Sequence, residues 1–239
     1  GISYLTMEIS SQGLKYDRVR GLTYDIGCFL NIGNDHISSI EHSCIDDYLE
    51  SKLKLFSQSR TICINRGSDR LDRIMEAARS VQQSRCESGG YIPEIVTFGT
   101  DPGSDYLAYD IRSLASDGDC ISFHVRSSAF DDVFEISMHG LFNVDNALAA
   151  ITMTHRLGIP LDSIKAGLKK ARVSGRMEMF TSRKRGFSVI VDYAHNQMSF
   201  ETLFHSVKKE FPGRKISIVF GCPGGKAQQR RRELGTIAG

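Results

Sequence analysis

The sequence predicts an α/β fold arranged as two units in tandem. Short strand-like runs rich in Val, Ile, Tyr and Phe alternate with helical stretches along much of the chain. Between residues 94 and 138 the texture changes to closely spaced strand-like runs, and near residue 174 the alternation restarts. These shifts place one unit over residues 1–173 and a second over 174–239.

The elements follow in order. "YLTMEIS" (4–10) and "YDIGCFLNIG" (24–33) read as buried parallel strands ending in polar loops. "IDDYLESKLKLFSQS" (45–59) sets Ile45, Leu49, Leu53 and Phe56 at helical spacing. "TICIN" (61–65) is a short strand, and "LDRIMEAARSVQQ" after it is helical. "IVTFG", "YLAYDIRSL", "CISFHVRS" and "VFEISM" resemble an antiparallel group. "NVDNALAAITMTHRLG" and "LDSIKAGLKKA" are a helical pair, with Gly158 and Pro160 at the turn. In the second unit "FSVIVDYA" reads as a buried strand and "SFETLFHSVKKEF" as a helix. "KISIVFG" reads as a further strand and "QQRRRELGTIAG" as a helix. Gly1 stands in place of Met and a strand-like run follows at once, so the chain is expected to start inside a domain and to stop before the second unit is complete.

Composition narrows the function. A net charge of +2, with Lys and Arg scattered, lacks the basic bias of a dedicated nucleic-acid binder. "RRR" at 230–232 reads as a solvated helix face, with an anion contact as the alternative. The six cysteines stand singly without a C-x-x-C pair, which argues against a zinc ribbon and for a reducing, cytoplasmic setting. No apolar run is long enough to span a bilayer, so membrane insertion is not expected.

Open α/β sheets bind ligands beyond the carboxyl ends of their strands, and polar residues gather at those ends here. Glu8 closes its run, with Ser10 and Ser11 in the turn, and Asp35 and His36 close the next. A carboxylate and an imidazole on neighbouring strand ends suit a hard cation with water completing its shell; equally, Glu8 suits a helix cap and His36 a loop hydrogen bond. Lys52 lies beside Leu49, Leu53 and Phe56. Such a lysine either extends its charge to water or is partly desolvated, with a lowered pKa and an amine able to take up carbon dioxide as a carbamate. Asn143 and Asn146 lie one turn apart at a helix start; Asn143 suits an N-cap, and an exposed amide there can read the edge of a heterocycle. "FGCPGGKAQQRRR" (220–232) fails both the Walker A and the G-x-G-x-x-G spacing, leaving a glycine-rich turn. "VIVDYAHN" sets Asp192, His195 and Asn196 at a strand's exit, where a turn alone would need only Gly, Pro or Ser.

Taken in order, "MEISSQGL", "DRVRGLTYDIGCFLNIGNDH", "YLESKLKLF", "HGLFNVDNALAA", "GRMEMF", "VIVDYAHN" and "FGCPGGK…RRRELG" resemble the Mur ligases, most of all the UDP-N-acetylmuramyl-tripeptide synthetases. The resemblance implies a P-loop-type central domain, with a mostly parallel sheet, helices and a small antiparallel sheet, whose N-terminal part is absent. An incomplete Rossmann-like C-terminal domain follows. It implies an ATP-dependent ligase that joins a free amino acid, L-lysine or meso-diaminopimelate, to UDP-N-acetylmuramoyl-L-alanyl-D-glutamate through an acyl phosphate, in a protein monomeric when full length. Glu8 and His36 match the magnesium-site residues, and Lys52 matches the lysine that becomes N6-carboxylysine and helps to organise that Mg2+ site. Ser10 and Arg18 match substrate contacts, Asn143 and Asn146 the adenine region, and Arg176 the nucleotide-reaching arginine of "GRME". Asp192 would take ribose hydroxyls, with His195 and Asn196 towards the phosphates. Tyr16 stands where many tripeptide synthetases carry Gln, "DHISSIEH" departs from D-H-x-D-x-H and leaves the part of His42 open, and the acidic residues that often follow the double glycine are absent. The family's P-loop is expected upstream and its amino-acid selector downstream, so this chain alone is expected to be inactive. Folylpolyglutamate or cyanophycin synthetases are the alternative enzymes. A non-catalytic Mur-ligase-like subunit is a further reading, against which the unpaired cysteines argue, and a nucleotide-binding regulatory fragment is another.

Overall fold

A computed structural model of the chain describes residues 1–33, 37, 41–114, 120–182, 184–222 and 228–239. The chain forms two compact units, Gly1–Thr97 and Phe98–Gly239. The expected boundary near 174 therefore falls within the second unit.

The first unit opens with α1 (Ser11–Lys15), capped by Ser10, whose side-chain oxygen accepts the Gly13 N–H at 3.0 Å. Then come β1 (Tyr24–Phe29), α2 (Ile45–Ser57), β2 (Ser59–Asn65) and α3 (Leu71–Glu87). β3 (Glu94–Gly99) begins in this unit and ends in the next. β1 and β2 pair in parallel, with Cys28 opposite Cys63, and the stretch that contains α2 makes the crossover. Gly27 makes room for neighbouring side chains: a Cβ there would overlap the Ser59 hydroxyl and lie 3.1 Å from Leu55 Cγ. The expected stripe on α2 is the core face, with Leu49, Leu53 and Phe56 packed among Phe29, Ile62, Ile64 and Ile74. Phe29 and Phe56 rings lie 6.0 Å apart. Burying a large apolar side chain contributes about 1.5–3 kcal/mol, so this cluster holds α2 on its crossover.

In the second unit β4 (Tyr106–Leu114), β5 (Cys120–Arg126) and β6 (Asp131–Ile136) form an antiparallel group. The end of β3 joins β4 in parallel, Phe98 opposite Tyr106, so "IVTFG" departs from the expected antiparallel set. The short connection suffices because β4 starts where β3 stops and runs on beyond it. α4 (Asn143–Arg156) packs on β4 and β5, and α5 (Leu161–Lys170) packs on β6. Gly158 takes φ +77° between the two helices, and Pro160 precedes α5, as the turn signals predict.

β7 (Glu178–Ser182) and β8 (Phe187–Val191) form a hairpin; α6 (Gln197–Glu210) and α7 (Gln228–Ala238) follow and pack together. β7 was not legible as a strand. β8 forms as expected, yet it is not buried: Phe187, Val189 and Val191 are each more than 40% exposed. Its ladder partner is β7. Residues 4–10 and 215–221 also depart from expectation, because neither is a strand and most of their apolar side chains, Leu5 and Val219 among them, are exposed. An alternating pattern becomes a strand only when a neighbour takes up its N–H and C=O groups, and no strand among the described residues does so here. Arg231 and Arg232 lie exposed on α7, in keeping with a solvated helix face.

Candidate active site

The expected site residues fall into two groups, one in each unit. In the first, Lys52 projects from the buried stripe of α2 to the loop just beyond β1. Its Nζ donates to the Asn31 carbonyl at 2.6 Å and lies 5.0 Å above the Phe29 ring and 5.2 Å above Tyr48. Burial lowers its pKa from 10.5 to about 8. The carbonyl and the ring faces favour the cation, but desolvation outweighs them. Lys52 thus has the partly desolvated environment that was the sharper of its two sequence readings.

Glu8 is exposed in the irregular segment before α1, and no ion pair joins it to Lys52 among the described residues. His36 and Asp35 lie outside the described residues, as do Pro223–Ala227 of the glycine-rich turn. Ser10 caps α1. Arg18 is exposed, its guanidinium 5.8 Å above Tyr16, and Lys15 flanks the same ring at 5.9 Å. Tyr16 therefore acts as an aromatic platform between two cations. A cavity of about 230 Å³ opens nearby, walled by Asp17, Arg20 and Lys54, and none of the expected site residues lines it.

His42, whose part the sequence left open, sits in a polar network in the structure. Its ring is fully buried, with Nε2 2.9 Å from the Ser11 hydroxyl and Nδ1 3.6 Å from Asp47 Oδ1. Asp47 Oδ2 accepts from Lys15 Nζ at 2.7 Å and from the Ser43 N–H at 2.9 Å, and these donors hold its carboxyl well below the usual range. A polar network thus ties the first residue of α1 to the loop before α2. Nothing in the local pattern foretold it.

A metal site built on Glu8, His36 and Lys52 would combine a carboxylate, an imidazole and, after carboxylation of the amine, a second anionic oxygen group. Such a set suits a hard cation only with that added carboxylate. Among the described residues no three His, Cys, Asp or Glu side chains gather to hold a metal.

In the second unit, Asn143 is the first residue of α4 rather than its cap, a position held by Phe142. The expected capping bond is absent because the side chain turns back: Asn143 Nδ2 donates to the His139 carbonyl at 2.6 Å, and Asn143 is 3% exposed. Asn146 Nδ2 in turn donates to Asn143 Oδ1 at 2.9 Å, and Asn146 is exposed. Of the two amides, Asn146 is the one open to a ligand, and Asn143 orients it. Asp145, between them, has its carboxyl pKa pushed up by burial. It lines a cavity of about 340 Å³ with Leu141, Val144 and Glu210.

At the exit of β8, Asp192 is bound to its own unit. Oδ2 accepts the Met177 N–H at 2.8 Å and Oδ1 the Ala194 N–H at 2.7 Å, so the carboxylate joins the Gly175–Met177 turn to the strand end. Met177 is held at φ +48° and is buried. Arg176, beside it, lies exposed with its guanidinium 5.0 Å above the Tyr193 ring. His195 meets that ring edge-on at 5.0 Å. His195 Nδ1 lies 2.9 Å from the Tyr193 carbonyl, which can only accept, so the neutral ring carries its proton on Nδ1 and presents Nε2 as an acceptor. Asn196 caps α6: its side chain accepts the Ser199 N–H at 2.9 Å, and Ser199 Oγ accepts the Asn196 N–H at 3.1 Å, a capping box. Arg176, Asp192, His195 and Asn196 are therefore close neighbours, and much of their bonding capacity serves the turn and the helix start.

The Mur ligase middle domain matches residues 1–154 and the Mur ligase glutamate ligase domain matches residues 175–239. A UDP-N-acetylmuramoyl-L-alanyl-D-glutamate--L-lysine ligase of Streptococcus sanguinis is 35% identical over 98% of this chain and 44% of its own length. A UDP-N-acetylmuramyl-tripeptide synthetase of Bifidobacterium longum is 36% identical, again over 98% and 44%. The chain thus spans less than half the length of these curated relatives. The solved structure of a UDP-N-acetylmuramoyl-L-alanyl-D-glutamate--2,6-diaminopimelate ligase superposes with a TM-score of 0.65 at 26% identity, covering 96% of this chain and 44% of that one. The MurF ligase of Thermotoga maritima in complex with ADP shares the fold, with a TM-score of 0.67 at 17% identity over 95% and 49% of the two chains. With both domains matched in order and the relatives aligned nearly end to end along it, this chain belongs to the Mur ligase family.

Proposed function

We propose that this chain is part of an ATP-dependent ligase of peptidoglycan precursor synthesis, adding L-lysine or meso-diaminopimelate to UDP-N-acetylmuramoyl-L-alanyl-D-glutamate. The observation that carries the reading is Lys52, a half-buried amine with a pKa of about 8 at the carboxyl end of β1. A neutral amine adds to carbon dioxide to give N6-carboxylysine with release of one proton, turning a cation into an oxygen ligand. Glu8, His36 and carboxylated Lys52 would then hold Mg2+, which when bound neutralises charge on the phosphoryl group in transfer.

In the reaction a carboxylate oxygen of the UDP-sugar-peptide attacks the γ-phosphorus of ATP and ADP departs. The amino acid's neutral amine then attacks the acyl carbon, phosphate leaves with the C–O bond electrons, and the nitrogen gives up one proton, which ends on phosphate or solvent. The protein's part is to position the reactants and exclude water. Ser10 and Arg18 face the sugar-peptide, and a guanidinium suits its phosphate or carboxylate groups. Asn146, oriented by Asn143, reads adenine. Arg176 reaches the nucleotide and Asp192 the ribose hydroxyls. His195 and Asn196 lie at the N-terminus of α6, where the positive end of the helix dipole favours phosphate. Residues 1–173 serve as the ATP- and metal-facing domain and 174–239 as the closing domain, in a cytoplasmic protein, monomeric at full length, that acts on soluble substrates.

The test supplies the intact natural protein with UDP-N-acetylmuramoyl-L-alanyl-D-glutamate, ATP, Mg2+ and each amino acid in turn. Mass spectrometry of the product, with phosphate release, is the readout. One amino acid should yield tripeptide; no product with either would overturn the proposal, and glutamate addition to a folate would favour the folylpolyglutamate alternative.

A further inference from the structure

Helix α6 ends in an electrostatically awkward residue. Lys208 and Lys209 in its last turn suit the negative C-terminal end of a helix dipole, but Glu210, the final residue, does not. Its side chain is nevertheless only 1% exposed. A carboxylate placed against the dipole and away from water needs a tertiary partner. Glu210 finds it 70 residues away, where Oε1 accepts the Gly140 N–H at 2.9 Å. Oε2 has no hydrogen-bond partner and lies 3.5 Å from His139 Nδ1. Phe211, the next residue, packs near the same His139 ring, with centroids 6.4 Å apart.

The turn that Glu210 holds is specialised. Gly140 has φ +89°, and a Cβ there would lie 2.5 Å from the Phe142 ring and 3.1 Å from Met177 Cγ. The Gly140 carbonyl accepts the Asn143 N–H at 2.8 Å, and the His139 carbonyl accepts the Asn143 side-chain amide. Asn143 Oδ1 then takes one N–H of Asn146. A continuous path of bonds therefore runs from the Glu210 carboxylate through residues 139–140 to the exposed Asn146 amide.

We propose that Glu210 is a positioning residue for the nucleotide site: from the end of α6 it fixes the 139–142 turn and thereby the direction in which Asn146 presents its amide. The inference rests on the adenine role given to Asn146 above. It assigns Glu210 no contact with substrate.

The experiment uses the intact natural protein with 15N-labelled asparagine and the variants Glu210→Ala, Glu210→Asp and Glu210→Gln. Glu210→Ala removes the acceptor, Glu210→Asp withdraws the carboxylate by one methylene, and Glu210→Gln retains an amide oxygen for Gly140. Side-chain NH2 resonances of Asn143 and Asn146 should move in Glu210→Ala and Glu210→Asp and stay near wild type in Glu210→Gln. The KM for ATP should rise about tenfold in Glu210→Ala, the effect of losing one neutral hydrogen bond, that of the misdirected Asn146 amide to adenine, with kcat within about twofold and Glu210→Gln restoring most of the loss. Should Glu210→Ala fail to fold, Glu210→Asp carries the same expectation. Unmoved asparagine resonances, or an equal loss in kcat and in ATP affinity without rescue by Gln, would overturn the inference. Asn146→Ala separates the underlying reading: if that variant leaves the KM for ATP unchanged, the adenine assignment fails, whatever the spectra say of Glu210.

Discussion

Lys52 Nζ lies 2.6 Å from the Asn31 carbonyl oxygen, so the one polar atom of a half-buried side chain is aimed at the end of β1. With a pKa near 8, about a quarter of these amines are neutral at pH 7.5. Pulse acetylation read by mass spectrometry should therefore show Lys52 reacting with a midpoint near pH 8, well below that of exposed lysines. A midpoint above 10 would remove the basis for its carboxylation. Between pH 8 and 10.5 the unfolded chain binds this proton more tightly than the folded one does. Stability should accordingly rise with pH through that window, and Lys52→Met should flatten the rise.

His42 is enclosed with no exposed surface and bonds Ser11 across 31 residues of sequence. His42→Ala opens a cavity and strands the Ser11 hydroxyl, so it should cost about 2–4 kcal/mol in denaturant unfolding. Ser11→Ala should cost about 1 kcal/mol, and the double variant should cost less than the sum because the two share one bond. Strict additivity would show that the contact contributes nothing.

The space a side chain on Gly27 would need is taken by Ser59, although the ladder sets Gly27 opposite Ile62. Gly27→Ala forces a methyl into the Ser59 side chain, with an expected loss of about 1–3 kcal/mol. Combining it with Ser59→Gly should recover much of that loss in thermal melts. No recovery would mean that the strain lies elsewhere.

Asn196 closes a capping box at the start of α6. Asn196→Ala should cost about 1 kcal/mol, whereas Asn196→Asp and Asn196→Ser should remain within a few tenths. Far-UV circular dichroism during unfolding distinguishes them, and equal stability for all of these variants would refute the cap.

Local pattern was enough for α2, α4, α5 and α6, because a helix satisfies its own backbone bonds and its core stripe is written at intervals of three and four residues. For Lys52, beside Leu49, Leu53 and Phe56, it left two readings open, a charge extended to water or partial desolvation, and only the packing around the amine decided for the second. It erred on residues 4–10 and 215–221, where the alternation is present and the ladder is not. The side-chain bonds of the site were also beyond it. Asn143 was legible as a helix-start residue, but its donation to His139 depends on a turn that Glu210 grips from 70 residues away. Ser11 likewise gains its partner only when the loop before α2 folds over α1. Periodicity encodes which face of an element is apolar; which distant polar atom meets which is decided by packing, since only the folded chain removes the water that would otherwise satisfy them.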